Sequence, residues 1–153
     1  MVIGAGPIGL SVIQFALITG AKVAVMDISE SRLAFCRDQM GVAHTLLASE
    51  TAAEELTKIG DGDLPTIVID ATGNPRSMAG AFELPANGGR IVFVGLFQGE
   101  LAFNDPNFHR RELTVCASRN ALPGTFSSII ESMETGKIDT SPWITHRVSL
   151  ADI

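Results

Sequence analysis

Basic side chains, cysteines and long apolar runs are all scarce in this 153-residue chain. Lysine and arginine together number 11 against 17 acidic residues, which gives a net charge of −6. This excludes a general nucleic-acid binder, because neutralising phosphates needs clustered cations and the pair Arg110-Arg111 makes no patch. No apolar stretch is long enough to span a membrane and no secretory signal is recognisable, so we expect a cytoplasmic protein without a membrane partner.

Metal-ligand and redox motifs are missing as well. The two cysteines, Cys36 and Cys116, form no CxxC pair, so the sequence predicts two buried free thiols and neither a zinc knuckle nor a redox dithiol. The histidines His44, His109 and His146 have no carboxylate or cysteine at ligand spacing. We therefore assign no metal site and no catalytic residue to this chain.

What the chain does contain is a regular alternation of strand-like and helix-like segments. Short apolar runs predict strands at residues 2–3, 22–27, 45–47, 65–70, 90–94 and 112–117. Capping residues and turn glycines predict helices at residues 8–19, 29–40, 51–59, from 75 onward, and 125–135. Such alternation is typical of βαβ units. We therefore expect one α/β domain over residues 1–153, a doubly wound, parallel, six-stranded sheet with right-handed crossovers and helices on both faces.

A glycine-rich loop, GAGPIG at residues 4–9, joins the first strand to the first helix. Gly4 would allow the tight turn, Gly6 would let a pyrophosphate approach the backbone, and Gly9 would let the helix pack closely on the strand. The start of the helix would present free N–H groups and a positive dipole end to phosphates. The loop in this context predicts a dinucleotide-binding Rossmann fold.

An acidic residue stands where such folds hold the adenosine ribose. Asp27 ends the second predicted strand, 18 residues after Gly9. A carboxylate there can accept hydrogen bonds from both ribose hydroxyls and would repel a 2′-phosphate, so we expect NAD in preference to NADP. Arg32, one helical turn further on, is interpreted as covering the ribose edge. The alternative is that Asp27 only caps the helix that begins after Ser29.

Five stretches in this order resemble the coenzyme domain of the medium-chain dehydrogenase/reductase superfamily, in particular its zinc-dependent alcohol, polyol and sugar-acid dehydrogenase branch. They are VIGAGPIGL, VAVMDISESRLAFCRDQMGVAHTL, IVIDATGNPRSM, GGRIVFVGL and ITHRVSLADI, and together they cover essentially the whole chain. A further stretch, HRRELTVCASRNA, is most similar to members that act on polyols and sugar acids.

The resemblance implies a role for each matching segment. The pyrophosphate loop would be Gly4, Gly6, Pro7, Ile8 and Gly9, and the adenosine-ribose residues would be Asp27 and Arg32. A turn beside the adenosine end would be Thr72, Gly73 and Asn74. The segments at the nicotinamide would be Val94, Gly95 and Leu96, which flank the ring, and Ser118 and Arg119, whose backbone would hold the carboxamide. Asp70 could be a general base, but its matched position is at the cofactor crevice.

The resemblance also implies a catalytic domain that this chain does not contain. In that family a domain carrying the catalytic zinc precedes the glycine loop, so we expect the chain to be a truncated fragment. The fragment should bind NAD, hold no zinc and catalyse nothing, while the intact enzyme would oxidise an alcohol or polyol. Two alternatives stay open, a regulatory NAD-sensing module and a zinc-free relative of quinone reductases. Asp27 speaks against the second, which usually prefers NADP.

The last expectation concerns association. Residues 100–103 are predicted to form a short edge strand that exposes Leu101 and Phe103 beside unpaired backbone groups. In the resembled dehydrogenases such edges pair across a two-fold axis, so we expect a homodimer through residues 97–104. The alternative is that this segment folds back as a solvated loop.

Overall fold

The computed structural model describes residues 1–152. The chain divides into two compact units, residues 1–119 and the segment from residue 120 onward. In the described residues, no helix is long and apolar enough to cross a membrane. A single dinucleotide-binding domain over residues 1–153 stays a prediction.

Six parallel strands form the sheet of the first unit, in the order β3-β2-β1-β4-β5-β6. The strands are β1 Val2–Ile3, β2 Ala24–Asp27, β3 His44–Leu47, β4 Ile67–Asp70, β5 Arg90–Phe93 and β6 Thr114–Ala117. The helices of this unit are α1 Pro7–Ile18, α2 Glu30–Met40, α3 Ala52–Ile59, α4 Pro75–Gly80 and α5 Asp105–Arg110. A single 3-10 turn, Ala81–Glu83, follows α4.

The strand order reverses between β1 and β4. The chain first moves outward from β1 to β3, then crosses back and moves outward again from β4 to β6. Because crossovers between parallel strands are right-handed, the two directions of travel place their helices on opposite faces of the sheet. The prediction of a doubly wound, Rossmann-type α/β fold is confirmed.

The core consists of two apolar layers, one on each face of the sheet. Strand residues such as Ile3 and Met26 pack with Leu56 of α3 and with Phe82 in one buried cluster. Their neighbours Val2 and Val25 point to the opposite face because side chains alternate along a strand. On that face α1 and α2 contribute fully buried side chains, which are Ile13, Leu33 and Cys36.

The second unit contains the remaining regular elements. Helix α6 covers Pro123–Glu134, close to the prediction of residues 125–135, and short 3-10 turns lie at Ser141–Trp143 and Leu150–Asp152. Gly136 follows α6 with a φ of 72°, the left-handed backbone that commonly ends a helix.

Two local expectations were wrong, and one helix was missed. Residues 97–104 form no strand: Leu101 packs against the buried cluster, and Phe103 stacks on Phe82 with ring centroids 4.4 Å apart. Cys116 is exposed, because it lies on β6, which has a neighbouring strand on one side only. The short helix α5 was not predicted, although Asn104 marks its start by accepting a hydrogen bond from the Asn107 N–H at 2.9 Å.

Candidate functional site

The residues predicted to bind a cofactor lie at the carboxyl ends of neighbouring parallel strands. Five of the six strands, all except β3, are each followed by one predicted segment, and the strand order places these five segments in a row. From one side of the sheet to the other they are residues 27–32, 4–9, 72–74, 94–96 and 118–119. The row crosses the point between β1 and β4 where the strand order reverses, which is where open α/β sheets form a ligand-binding crevice.

The glycine loop has the conformation that its sequence predicts. Gly4 adopts a φ of +95°, a backbone region that residues with a Cβ rarely enter, and its N–H bonds to the Met26 carbonyl at 2.8 Å. A Cβ on Gly9 would lie 1.8 Å from the Gly4 carbonyl oxygen, so only glycine fits there. A Cβ on Gly6 would meet nothing within 4 Å, so open space lies beside this part of the backbone.

Helix α1 begins directly behind this open space. Gly6 is its N-cap residue, Pro7 its first residue, and the first backbone bond of the helix runs from the Leu10 N–H to the Gly6 carbonyl at 2.8 Å. The N–H groups of Ile8 and Gly9 therefore precede the hydrogen-bonded part of the helix. With the positive end of the dipole of a 12-residue helix, they suit a bound anion.

Asp27 connects the end of β2 to the glycine loop. Its side chain is 4% exposed; Oδ2 accepts the Ala5 N–H at 2.7 Å and Oδ1 accepts the Ser29 N–H at 2.8 Å. Each carboxylate oxygen has about two acceptor positions, so neither oxygen is saturated by these bonds. The bond to Ser29 reaches the N–H of the N-cap residue and not an N–H group of the first helical turn, so Asp27 does not cap α2, and the bond to Ala5 ties its carboxylate to the loop.

Arg32 lies beside Asp27 as the sequence suggested. Its Nη1 is 3.8 Å from Asp27 Oδ2, and its side chain is 57% exposed. This distance is too long for a hydrogen bond, and the guanidinium is on the exposed side of the pair, so Arg32 is able to turn toward a ligand. Ser29 occupies the N-cap position of α2 as predicted, but its hydroxyl bonds to the hydroxyl of Ser31 and not to the helix backbone.

The turn after β4 lies between the glycine loop and the segment that follows β5. A Cβ on Gly4 would be 3.0 Å from Thr72 Cγ2, so the loop and the turn are in contact. Asn74 ends the turn and caps α4, because its Oδ1 accepts the N–H groups of Arg76 at 3.0 Å and Ser77 at 3.2 Å. A position beside the adenosine end of a cofactor, which the resemblance implies for this turn, stays a prediction.

The two remaining segments lie side by side. Ser118 donates its N–H to the Phe93 carbonyl at 2.9 Å, which holds the end of β6 against the end of β5 where Val94 begins. Leu96 is 78% exposed, and Arg119 is exposed as well.

Two groups of the candidate site were missed from the sequence, since neither belongs to a recognisable pattern. They are the backbone N–H of Ala5, which bonds to Asp27, and the hydroxyl of Ser77, which bonds to Asp70.

A metal site has no basis in the described part of the chain. Within residues 1–152, no three histidine, cysteine, aspartate or glutamate side chains are grouped so that they could hold a metal ion. Burial raises the pKa of the Cys36 thiol to about 11, and the negative charge of Asp27 adds to this effect. Cys36 is therefore a neutral thiol inside the fold.

Comparison with known proteins identifies the family to which this arrangement belongs. The family model "Zinc-binding dehydrogenase" matches residues 7–135. An L-galactonate-5-dehydrogenase of Escherichia coli strain K12 is 40% identical over 153 residues, which is all of this chain and 45% of the relative. A D-xylulose reductase of Scheffersomyces stipitis is 32% identical over 99% of this chain and 44% of its own length.

A solved structure adds a cofactor to this comparison. A short chain alcohol dehydrogenase from Escherichia coli CFT073, complexed with its cofactor NADH, superposes with a TM-score of 0.79 and 28% identity. The match covers 90% of this chain and 41% of that protein. The chain thus spans less than half the length of the relatives it matches.

Proposed function

Since this chain belongs to the zinc-binding dehydrogenase family, we propose that it is the NAD-binding domain of an alcohol, polyol or sugar-acid dehydrogenase. The observation that carries the proposal is the junction of Asp27 with the glycine loop. A buried carboxylate bonded to the Ala5 N–H lies next to a helix start that is open to an anion. A ribose and a pyrophosphate are neighbours in a dinucleotide, and these two features are neighbours here.

Each part of the cofactor has residues that fit it. The pyrophosphate would lie over Gly6 and the N–H groups of Ile8 and Gly9, and the adenosine ribose against Asp27, with Arg32 at its edge. The nicotinamide would lie toward residues 94–96 and 118–119 at the other end of the row. When bound, the cofactor supplies a hydride acceptor or donor for the interconversion of an alcohol and a carbonyl compound.

NAD is proposed rather than NADP because of charge. Asp27 is buried, so its negative charge is weakly screened and would repel a 2′-phosphate on the ribose. Arg32 offsets part of that repulsion but is more than half exposed. The relative that binds NADH in its solved structure is consistent with this preference.

A titration of the chain with NADH and with NADPH tests the proposal. We expect NADH to bind at least about tenfold more tightly, a difference of about 1.4 kcal/mol. The variant Asp27→Asn should narrow this preference, while Asp38→Asn, an exposed change on the helix that begins after Asp27, should not alter it. Equal affinity for the two cofactors in the unmodified chain would refute the assignment of Asp27.

Catalysis is proposed only for a longer protein. In the family pattern the zinc and the proton-transfer residues belong to a second domain, and zinc would act there as a Lewis acid on the substrate oxygen. An alcohol or polyol is the proposed substrate class, in line with the names of the relatives. This chain alone is expected to bind the cofactor without oxidising an alcohol.

A homodimer is proposed at the edge of the sheet near residues 97–104. The predicted edge strand is absent, but Phe103 is 43% exposed and the outer strand β6 exposes Val115 to a similar degree, 42%. An outer strand has unpaired backbone groups on one side, and a two-fold axis would pair them with those of a second copy. A cytoplasmic location stays a prediction.

A further inference from the structure

Asp70 occupies the centre of the row of predicted cofactor segments. It is the last residue of β4 and is paired in register with Ile3 of β1 and Phe93 of β5. Its side chain is fully buried, with 0% exposed. A carboxylate that is removed from water in this way needs hydrogen-bond donors to compensate for its lost hydration.

The side chain of Asp70 fixes the turn at residues 71–74. Oδ1 accepts the Thr72 N–H at 2.9 Å and the Thr72 hydroxyl at 2.7 Å. Oδ2 accepts the Ser77 hydroxyl, from the first turn of α4, at 2.6 Å. The Thr72 hydroxyl accepts the Asn74 N–H at 3.0 Å in turn, so the carboxylate organises the whole turn and the start of the helix behind it. No open space faces this carboxylate, which speaks against a role as general base.

The main chain of Asp70 holds the next segment of the site. Its carbonyl oxygen accepts the N–H groups of Val94 at 2.9 Å and Gly95 at 3.1 Å. One residue therefore binds the turn through its carboxylate and the segment at residues 94–96 through its carbonyl.

The turn and this segment are also in direct backbone contact. A Cβ on Gly95 would lie 2.2 Å from the Gly73 nitrogen, and a Cβ on Gly73 would lie 2.8 Å from the Leu96 carbonyl oxygen. There is no gap between the two backbones into which either could relax. A displacement of the turn must therefore displace the segment.

We propose that Asp70 is a positioning residue that couples the turn at residues 71–74 to the segment at residues 94–96. It fixes the position of that segment relative to the end of β4. It thereby also fixes the position of the nicotinamide, a step that rests on the proposed NAD-binding function. It touches neither the cofactor nor the substrate. Charged hydrogen bonds to a buried carboxylate are strong and directional, which suits them to this task.

Ser77→Ala is the most informative variant. Asp70→Ala would leave several donors unpaired inside the fold and would report on folding alone. Ser77 is not part of the predicted cofactor site, and the change removes one hydroxyl from Asp70 Oδ2. Thr72→Val removes the hydroxyl donor to Oδ1, leaves the backbone donor in place and serves as a second variant. Ser128→Ala is the matched control, because that hydroxyl bonds only to the Gly124 carbonyl of its own helix.

The first measurement needs no cofactor. In ¹H–¹⁵N spectra of the unliganded chain, the amide signals of Val94, Gly95 and Leu96 should shift in the two site variants, Ser77→Ala and Thr72→Val. The same signals should not shift in Ser128→Ala. The proposal is overturned if both site variants shift signals only between residues 70 and 77. A merely structural role of Asp70 in its own turn would give that second result.

The second measurement compares NADH with ADP-ribose, which lacks the nicotinamide. Ser77→Ala should weaken NADH binding about fivefold, within the range of effects known for residues that couple two sites, and should leave ADP-ribose binding nearly unchanged. Equal losses for the two ligands, or no loss for either, would overturn the coupling to the nicotinamide. If the unmodified chain binds neither ligand, the proposed function fails, and the amide signals alone then decide whether Asp70 couples the two segments.

Discussion

Alanine substitutions at two glycines of the same loop should have opposite consequences. At Gly9 an added methyl group would overlap the backbone, whereas at Gly6 it would enter open space. The first change should damage the fold and the second only the binding of a cofactor. Comparing the two separates the structural part of the GxGxxG pattern from its binding part.

The cost of Gly9→Ala follows from the contact distances. The new Cβ would lie 1.8 Å from the Gly4 carbonyl oxygen and 2.8 Å from the Gly4 carbonyl carbon. These are backbone atoms, so no side-chain rotation relieves the overlap and the start of α1 must move away from the end of β1. Overpacking of this kind costs about 1–3 kcal/mol, and the rigidity of the partner places this case at the upper end.

The cost of Gly6→Ala is much smaller. Gly6 has a φ of −78°, which alanine adopts without strain, and a Cβ there has no heavy atom within 4 Å. Replacing glycine gains about 0.4–1 kcal/mol from the unfolded state, while alanine at an N-cap position loses a similar amount. The free energy of unfolding should therefore change by less than about 1 kcal/mol, while the methyl group blocks the proposed approach of a pyrophosphate.

Urea unfolding and calorimetric titration with NADH test both statements. We expect Gly9→Ala to lower the midpoint of unfolding clearly, and Gly6→Ala to keep the midpoint but lose at least about tenfold in NADH affinity. If Gly6→Ala binds NADH as tightly as the unmodified chain, the pyrophosphate does not lie over Gly6 and the loop assignment is refuted.

Three further outcomes are expected. The buried thiol of Cys36, whose pKa is raised to about 11, should not react with a thiol reagent at pH 8, whereas exposed Cys116 should; two reactive thiols before denaturation would contradict this. The pKa of the Cys36 thiol is about 9.0 in the unfolded chain and about 11 in the folded chain, so between these values only the unfolded chain gains stability by ionising the thiol. The free energy of unfolding should therefore keep its full contribution from this thiol below pH 9 and lose it between pH 9 and 11. Urea titrations at several pH values, with Cys36→Ala for comparison, measure this loss. Light scattering at tens of micromolar should show a dimer that Val115→Lys converts to a monomer and Val148→Lys, an exposed change in the second unit, does not; a monomeric unmodified chain would end the dimer proposal.

Most of the fold was predictable because parallel strands buried on both faces leave a strong pattern. All six strands were located. Some bounds were wrong by a few residues, because the apolar run continues beyond the hydrogen-bonded part of the strand. The second strand, for example, was predicted at residues 22–27 and is observed at Ala24–Asp27. The segment at residues 97–104 failed for a physical reason. Leu101 and Phe103 alternate as in a strand, but a pattern over neighbouring residues does not reveal that Phe82, far back in the chain, provides a stacking partner.

The candidate site shows where sequence reasoning reaches its limit. The loop and its three glycines were assigned from their spacing and from the strand, helix and aspartate around them, and the structure has the positive φ at Gly4 and the close approach at Gly9 that this assignment requires. The contact between Gly73 and the backbone of Leu96 was out of reach, because it depends on how two loops from different strands meet. Hydrogen bonds between segments that are distant in the chain leave no periodic signal.

The two buried aspartates illustrate the same limit most clearly. Both end an apolar strand next to β1, in the similar stretches VMD and VID, so the strand pattern alone does not distinguish Asp27 from Asp70. The register does: Ile3 of β1 pairs with Asp70 on one side and with Met26 on the other, so Asp27 lies one residue further along and points to the opposite face of the sheet. A further difference arises from the hydroxyl residues that come after each aspartate in the chain. After Asp70, two hydroxyl groups bond to the carboxylate and close it off from a ligand. After Asp27, the Ser29 hydroxyl bonds elsewhere and the carboxylate receives two backbone donors, which leaves acceptor positions for a ribose. The sheet face and the local hydroxyls together thus leave one aspartate able to hold a ligand and the other able to hold the loops around it.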